Sequence, residues 1–219
     1  MEMKQKQDAG GNREIIDCVE TVRGKVAITF ESGWRVFLPR DRLPSFPLET
    51  GTAVDRETFL QYIRIVQYPA ALDRAVALLA MKPCSSREIE RKLVDVYRCD
   101  QDVADLVLYK LTKEGLLDDK DFSEQWVHAR MKKYGASRIY RELLAKGVDR
   151  ETARRALESC DEEKQLQTAV SLAEKKIRAS RENDRSKLFR QVTGMLQRRG
   201  YSWDTAKKAF DQAMETWRE

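Results

Sequence analysis

The sequence predicts a mainly α-helical protein: an elongated array of three tandem three-helix units, preceded by a small antiparallel β-hairpin or three-stranded segment and a helix. Three observations predict it. The 219 residues hold only ten Gly and five Pro, and four of the prolines fall before residue 70, leaving a long stretch rich in Ala, Leu, Glu, Lys and Arg, the composition of helices. Residues 14–38 instead alternate apolar and polar positions with β-branched side chains, the pattern of strands. From Ala70 onward the chain resembles itself at a spacing near 50 residues, the signature of stacked repeats. The expected division is a disordered polar start (1–13), a strand-rich segment with a helix (14–69), and units at 70–118, 119–160 and 161–219.

In the strand segment, Ile16, Cys18 and Val22 share a mixed face, while Val26, Ile28 and Phe30 line another. Ser32-Gly33 forms a hairpin turn between VAITFE and WRVFL, and the strands end at Pro39. Residues 43–55, with two prolines, read as a loop. A helix over 55–66 opens on Asp55 as N-cap and carries Phe59, Ile63 and Val66 on one stripe. A lone small sheet is marginal in water, so it packs on this helix.

The three units read as helices near 70–82, 85–97 and 100–114; 119–133, 136–146 and 149–159; and 161–179, 184–199 and 202–217. Residues 138–158 align with 191–211 without a gap, matching Ile139 to Val192, Leu143 to Leu196, Gly147 to Gly200 and Thr152-Ala153 to Thr205-Ala206. Residues 88–108 are a looser copy, with a stripe of Ile89, Leu93, Val96 and Tyr97. Gly147 and Gly200 stand where a helix ends in a left-handed cap, which glycine adopts without a Cβ clash; Asp149 and Ser202 come next as N-caps. A unit of this size buries too little surface alone, so neighbours share contacts.

Composition excludes several classes. The longest apolar run, Ala75–Met81, is far short of the ~20 residues of a membrane span, and the polar start has no apolar signal core; a cytoplasmic protein with no membrane partner is expected. Cys18, Cys84, Cys99 and Cys160 show no C-x-x-C spacing and read as buried thiols. One histidine, His128, off the Phe122–Trp126–Ala129 stripe, makes no zinc site with them. No G-x-x-x-x-G-K-[ST] or G-x-S-x-G occurs, so no enzyme and no cofactor is expected. Asp118, Asp119 and Asp121 after Gly115 read as a boundary, a glycine stop followed by an N-cap and a first turn favourable to negative charge. No second carboxylate cluster nearby supports a catalytic or metal reading.

The formal charge is +5, and residues 1–69 contain ten bases and ten acids while residues 119–219 contain 23 and 17. A basic half suggests an acidic or polyanionic partner. The candidates are Arg130, Lys132, Lys133, Arg138 and Arg141 around the KKYGASR turn, Arg154-Arg155 and Lys207-Lys208 at matching repeat positions, and Arg198-Arg199 before Gly200. The recurring pairs would project from the same face of successive units. Trp126 and Trp217 lie on apolar stripes and read as core; Trp203, at a helix start, reads as open. A helix–turn–helix transcription regulator is the alternative: residues 139–158 allow two helices joined by a turn, but no Asn or Gln opens the second for adenine readout, although Arg150 could reach guanine.

The stretch GLLDDKDFSEQWVHARMKKYGASRIYRELLAKGV (115–148) resembles the signature of the RecX family, through Gly115, Leu117, Asp118, Asp119, Phe122, Trp126, Arg130, Gly135, Ile139, Leu143, Lys146 and Gly147. The likeness extends over about 70–219, and the first strands look like the extension of longer members. Departures are Ser123, His128 and Cys84, standing where alanine, a polar or basic residue, and a basic residue are commoner. The resemblance implies a non-enzymatic regulator, acting as a monomer. It would bind the RecA recombinase, free and in its filament on DNA, with at most weak non-specific DNA contact of its own. Such a protein would lie in the filament groove and restrain ATP hydrolysis, strand exchange and filament growth, and so regulate recombinational repair and the SOS response. The basic residues above are the expected RecA- or DNA-facing set.

Overall fold

The computed structural model describes residues 13–45, 47–158, 161–182 and 184–218, of which the side chains of 217 and 218 are not described. The expectations for the first residues, Cys160 and the Trp217 side chain lie outside them. The chain is mainly helical and divides into two compact units: residues up to Cys84 with Glu88–Leu117, and Ser85–Arg87 with Asp118–Glu219.

The first unit opens with an antiparallel sheet of β1 (Arg13–Val22), β2 (Lys25–Phe30), β3 (Arg35–Pro39) and β4 (Ala53–Asp55), in the order β3-β2-β1-β4. β4 is a three-residue edge strand within the stretch read from sequence as loop. Arg23-Gly24 joins β1 to β2 with both residues at positive φ, 49 and 78, the backbone whose twist matches a tight hairpin. A bulge between Ile16 and Cys18 shifts the β1–β2 register. One extra residue reverses the alternation, so Ile16 is buried while Cys18 is exposed, against the buried thiol expected there.

The buried face of the sheet, with Ile16, Ile28, Phe30 and Leu38, shares one core with Phe59, Ile63 and Val66 of α1 (Arg56–Met81). Asp55 caps α1 by accepting from the Thr58 amide at 2.9 Å. The sequence predicts two helices here, broken before Ala70; the structure has one, running through Pro69. Proline within a helix costs about 3 kcal/mol or more. Buried Val66, Ala71 and Ala75 hold both sides of the break in the core, and burial of the Val66 side chain contributes roughly 1.5–3 kcal/mol. Ile65, whose carbonyl loses its amide partner, is 74% exposed, so water reaches it.

α2 (Ser86–Arg91) leads into a π-helical turn, Lys92–Val96. The expected stripe holds at Ile89 and Leu93, but the wider turn rotates the residues after Leu93, and Val96 is 60% exposed. Arg98, at φ 56, reverses the chain, with the Cys99 amide donating to Leu93 O at 3.0 Å. α3 (Gln101–Lys113) returns to the core through Val103, Val107 and Leu111.

The second unit holds α4 (Asp119–Arg130), α5 (Ala136–Ala145), α6 (Arg150–Glu158), α7 (Glu162–Arg178), α8 (Arg185–Arg198) and α9 (Trp203–Arg218). α4–α6 enclose Phe122, Val127, Ile139, Leu143 and Ala153; α7–α9 enclose Ile177, Val192, Leu196, Ala206 and Phe210. On α4 the inward stripe uses Val127 in place of the expected Ala129, which is exposed. Gly147 and Gly200, at φ 82 and 89, end α5 and α8 with the same pair of hydrogen bonds: Gly147 to Leu144 O and Val148 to Leu143 O, Gly200 to Gln197 O and Tyr201 to Leu196 O. Gly115 ends α3 likewise.

The acidic triplet is a boundary, as its spacing implies. Asp118 Oδ1 accepts from the Lys120 amide at 2.7 Å, Asp119 Oδ1 from the Ser86 amide at 2.8 Å, and Asp121 Oδ2 from Gln125 Nε2 at 2.8 Å. Asp149 caps α6, and the Thr152 hydroxyl and amide hold its carboxyl below the usual carboxylate range. A depressed pKa supplies stability above the unfolded value that is lost as pH falls through the folded one. Asp149→Asn keeps a capping oxygen, so its urea midpoint is expected to fall less than the wild type's between about pH 6 and pH 3.

Candidate functional site

α6 and α9 place their basic pairs by the same local rule. Ala153 and Ala156 of α6, and Ala206 and Ala209 of α9, are buried, so the residues between them turn outward: Arg154-Arg155 and Lys207-Lys208 are all exposed. The buried and exposed positions thus recur at the 53-residue spacing of the repeat. Their surroundings differ. Arg155 Nε pairs with Glu151 Oε1 at 3.0 Å, one turn back on its helix. Lys208 lines a cavity of about 750 Å³ whose wall also carries Glu162, Glu163 and Asp204.

The KKYGASR turn splits its cations into two kinds. Lys132, Lys133 and Arg141 are exposed, with Arg141 Nε donating to Ser137 O at 3.3 Å. Lys132 shares a cavity of about 350 Å³ with His128 and Lys164; His128 itself is exposed, as its place off the stripe implies. Arg130 and Arg138 are half-buried and directed inward. Glu142 stands between them, at 3.2 Å from Arg130 Nε and 3.1 Å from Arg138 Nε. The Arg130 guanidinium lies 4.5 Å from the Trp126 ring centre, Arg138 lies 3.9 Å from that of Tyr134, and Lys146 Nζ covers Trp126 at 4.3 Å. Such stacks are worth about 0.5–2 kcal/mol each. Trp126 is half-buried and packs against the α4–α6 core, with its indole N–H buried and without an acceptor among the described residues. Trp203 is open, 50% exposed, with its ring edge-on to Phe189. Arg198 is exposed and Arg199 half-buried; the Arg199 carbonyl accepts from the Gly135 amide at 2.9 Å.

A second group of cations lies outside the set drawn from the sequence. Arg23, Lys25, Arg40, Arg74 and Arg98 line one cavity of the first unit, of about 510 Å³. Charge counting hides it, because residues 1–69 hold as many acids as bases, yet among the described residues Asp41 is the one acid that lines this cavity. The readable signal is Arg23 beside Gly24 at a hairpin turn, an unusual place for arginine.

Among the described residues, no group of three or more His, Cys, Asp or Glu side chains is placed to hold a metal ion. No helix there is long and apolar enough to cross a membrane.

Fold and site together define a protein of tandem three-helix modules, with basic side chains on the outer faces of their last helices, behind a small antiparallel sheet. Comparison with known proteins agrees. Residues 118–157 match the family model described as RecX, second three-helix domain, and residues 162–210 that of the third. The chain is 36% identical over 157 residues to the regulatory protein RecX of Corynebacterium efficiens, covering 67% of this chain and 74% of that one. It is 28% identical over 174 residues to that of Bacillus subtilis, covering 78% and 66%. The fold is that of a crystal structure of regulatory protein RecX, at TM-score 0.63 and 21% identity over 90% of this chain and 99% of that one. RecX from Lactobacillus salivarius gives TM-score 0.63 at 23% identity, over 68% and 97%. The chain belongs to the RecX family, a family of regulatory proteins.

Proposed function

We propose that this chain is a non-enzymatic regulator that binds the RecA recombinase and its filament on DNA. It lies along the filament groove and restrains ATP turnover, strand exchange and filament growth. The recurrence of an exposed basic pair on α6 and α9 carries this reading. Two modules repeating one charged position at a fixed spacing suit a partner that itself repeats, and a nucleoprotein filament is repetitive and polyanionic. Exposed cations contribute through association rate and register more than through affinity, which suits a regulator that must come off. Units 70–118, 119–160 and 161–219 act as successive modules in this proposal, and the DNA contact is sequence-blind.

The test adds the purified chain to RecA on single-stranded DNA and follows ATP hydrolysis. A fall in turnover that deepens with the ratio of chain to RecA is expected. Unchanged turnover would refute the reading, and a preference of ~10³ or more for particular DNA sequences without RecA would favour a transcription regulator instead.

A further inference from the structure

The cavity in the first unit is built from four separate segments: the β1–β2 turn, the end of β3 with the residues after it, the middle of α1, and the chain reversal after the π-helical turn. Its lining includes five cations and a single carboxylate, Asp41. No carboxylate lies within ion-pair distance of Lys25, Arg74 or Arg98 among the described residues. They are held instead by neutral groups. Lys25 Nζ donates to the Tyr97 carbonyl. The Arg74 guanidinium lies 4.6 Å from the Tyr97 ring centre and Arg98 lies 6.0 Å from that of Phe37. Beneath them, buried Gln67 ties the walls together, donating to Phe37 O and accepting from the Asp100 amide, both at 2.8 Å. Lys25 and Arg74 are thus held by neutral groups without being neutralised, while Arg98 is exposed. Burial, with the fields of Arg74 and Arg98, pushes the Lys25 ammonium below its ordinary pKa.

Backbone conformation points the same way. Arg23 and Arg98 are the non-glycine residues at positive φ among those described, at 49 and 56. That region costs an L-residue roughly 1–2 kcal/mol, and glycine would occupy either position free of it. Both line this cavity. Strain retained at two arginines of one cavity marks a place where the side chains have a use.

We infer that this cavity is a binding site for a multiply charged phosphate ester of nucleotide size, with Lys25, Arg74 and Arg98 as its anion-binding centre and Arg23 and Arg40 completing the charge. The volume falls in the range of small-molecule sites. Guanidinium groups in a fixed array match phosphate oxygens in pairs, and an ammonium adds a point charge. The phosphates are those of a free nucleotide or those at a nucleic-acid strand; the chemistry of recognition is the same. This inference does not rest on the recombinase reading, which is carried by Arg154-Arg155 and Lys207-Lys208, none of which lines the cavity.

The test uses the full chain at low salt with EDTA, titrated by calorimetry with inorganic pyrophosphate and ATP, and by fluorescence with a labelled thymidine oligonucleotide of about 20 residues. The variant Arg74→Gln with Arg98→Gly removes two charges, and the glycine suits the backbone at its position. It is expected to keep its melting temperature and to weaken binding by about tenfold or more. Lys175→Gln with Lys176→Gln, both exposed on α7, leaves that binding unchanged. Binding of pyrophosphate or ATP assigns the site to a free ligand, and binding of the oligonucleotide alone assigns it to a strand. Failure of every probe to bind below about 1 mM, a weak limit on the affinity scale, overturns the inference. So does binding that survives in the double variant. Should that variant unfold, Arg23→Gly serves in its place with the same two outcomes.

Discussion

Gly200→Ala is expected to destabilise the second unit by about 2–5 kcal/mol, combining the cost of positive φ with that of overpacking. Two separate penalties meet at this residue. Its φ is 89, and a Cβ there would lie less than 3.0 Å from the Cβ and amide nitrogen of Arg138. The backbone of α5 cannot retreat easily, because Gly135, just before it, is equally constrained. A Cβ on Gly135 would lie within 3.0 Å of the Gly200 carbonyl, and the Gly135 amide donates to Arg199 O at 2.9 Å. The end of α8 and the start of α5 thus touch backbone to backbone, and this contact joins the α4–α6 and α7–α9 layers. α5 has no side-chain cap from its own N-cap residue; Gln165 of α7 reaches its first amide, Ala136, at 3.4 Å. Controls separate the two penalties. Gly115, at φ 70 with nothing within 4 Å, isolates the backbone cost, so Gly115→Ala should lose about 1–2 kcal/mol. Gly135→Ala, at φ −80, isolates the clash. Urea unfolding of the three variants should rank Gly200→Ala the least stable; equal midpoints for Gly115→Ala and Gly200→Ala would show that the close approach does not hold.

Reversing charge at Arg154, Arg155, Lys207 and Lys208 to glutamate together is the functional counterpart. All four are exposed, and exposed substitutions away from packed features fall within about ±0.5 kcal/mol, so the helix content and melting temperature should stay near wild type. Inhibition of RecA should weaken by about tenfold or more, at roughly 1.4 kcal/mol per decade. Raising salt on the wild type should mimic the variant, since surface charges are screened over about 10 Å at 0.1 M. Reversal of Lys132 and Lys133 should add to the effect. Reversal at Arg130 or Arg138 is a poor substitute, because those charges face Glu142 and the aromatic rings, and losing them perturbs the fold. Full inhibition by a folded quadruple variant would remove α6 and α9 from the interface.

The features legible in the sequence were local. Glycine stops followed by Asp or Ser caps announce themselves within a few residues, and the 53-residue match carries burial with it: Ala153 and Ala206, Leu143 and Leu196, Ile139 and Val192 are all buried. The pairing of Arg138 with Glu142 and of Arg155 with Glu151 was readable too, from four-residue spacing on a helix. The remainder depended on distant partners. Pro69 reads as a helix break unless Val66 and Ala71 are both known to reach the core. The bulge at Asp17 that turns Cys18 outward, and the π-helical turn that exposes Val96, leave no composition signal. β4 is too short to show a period. The cationic cavity draws on residues from 23 to 98, and the even count of ten bases and ten acids over residues 1–69 does not reveal it.

The central claim is that the outer faces of α6 and α9 meet the recombinase. A photo-crosslinking amino acid placed at 154 or at 207 tests it most directly, and it avoids thiol reagents that would also modify exposed Cys18. On RecA filaments formed on single-stranded DNA, both positions should yield crosslinks to RecA, while the same group at exposed Ile65 on α1 should yield none. Crosslinks from position 65 with none from 154 and 207 would contradict the account.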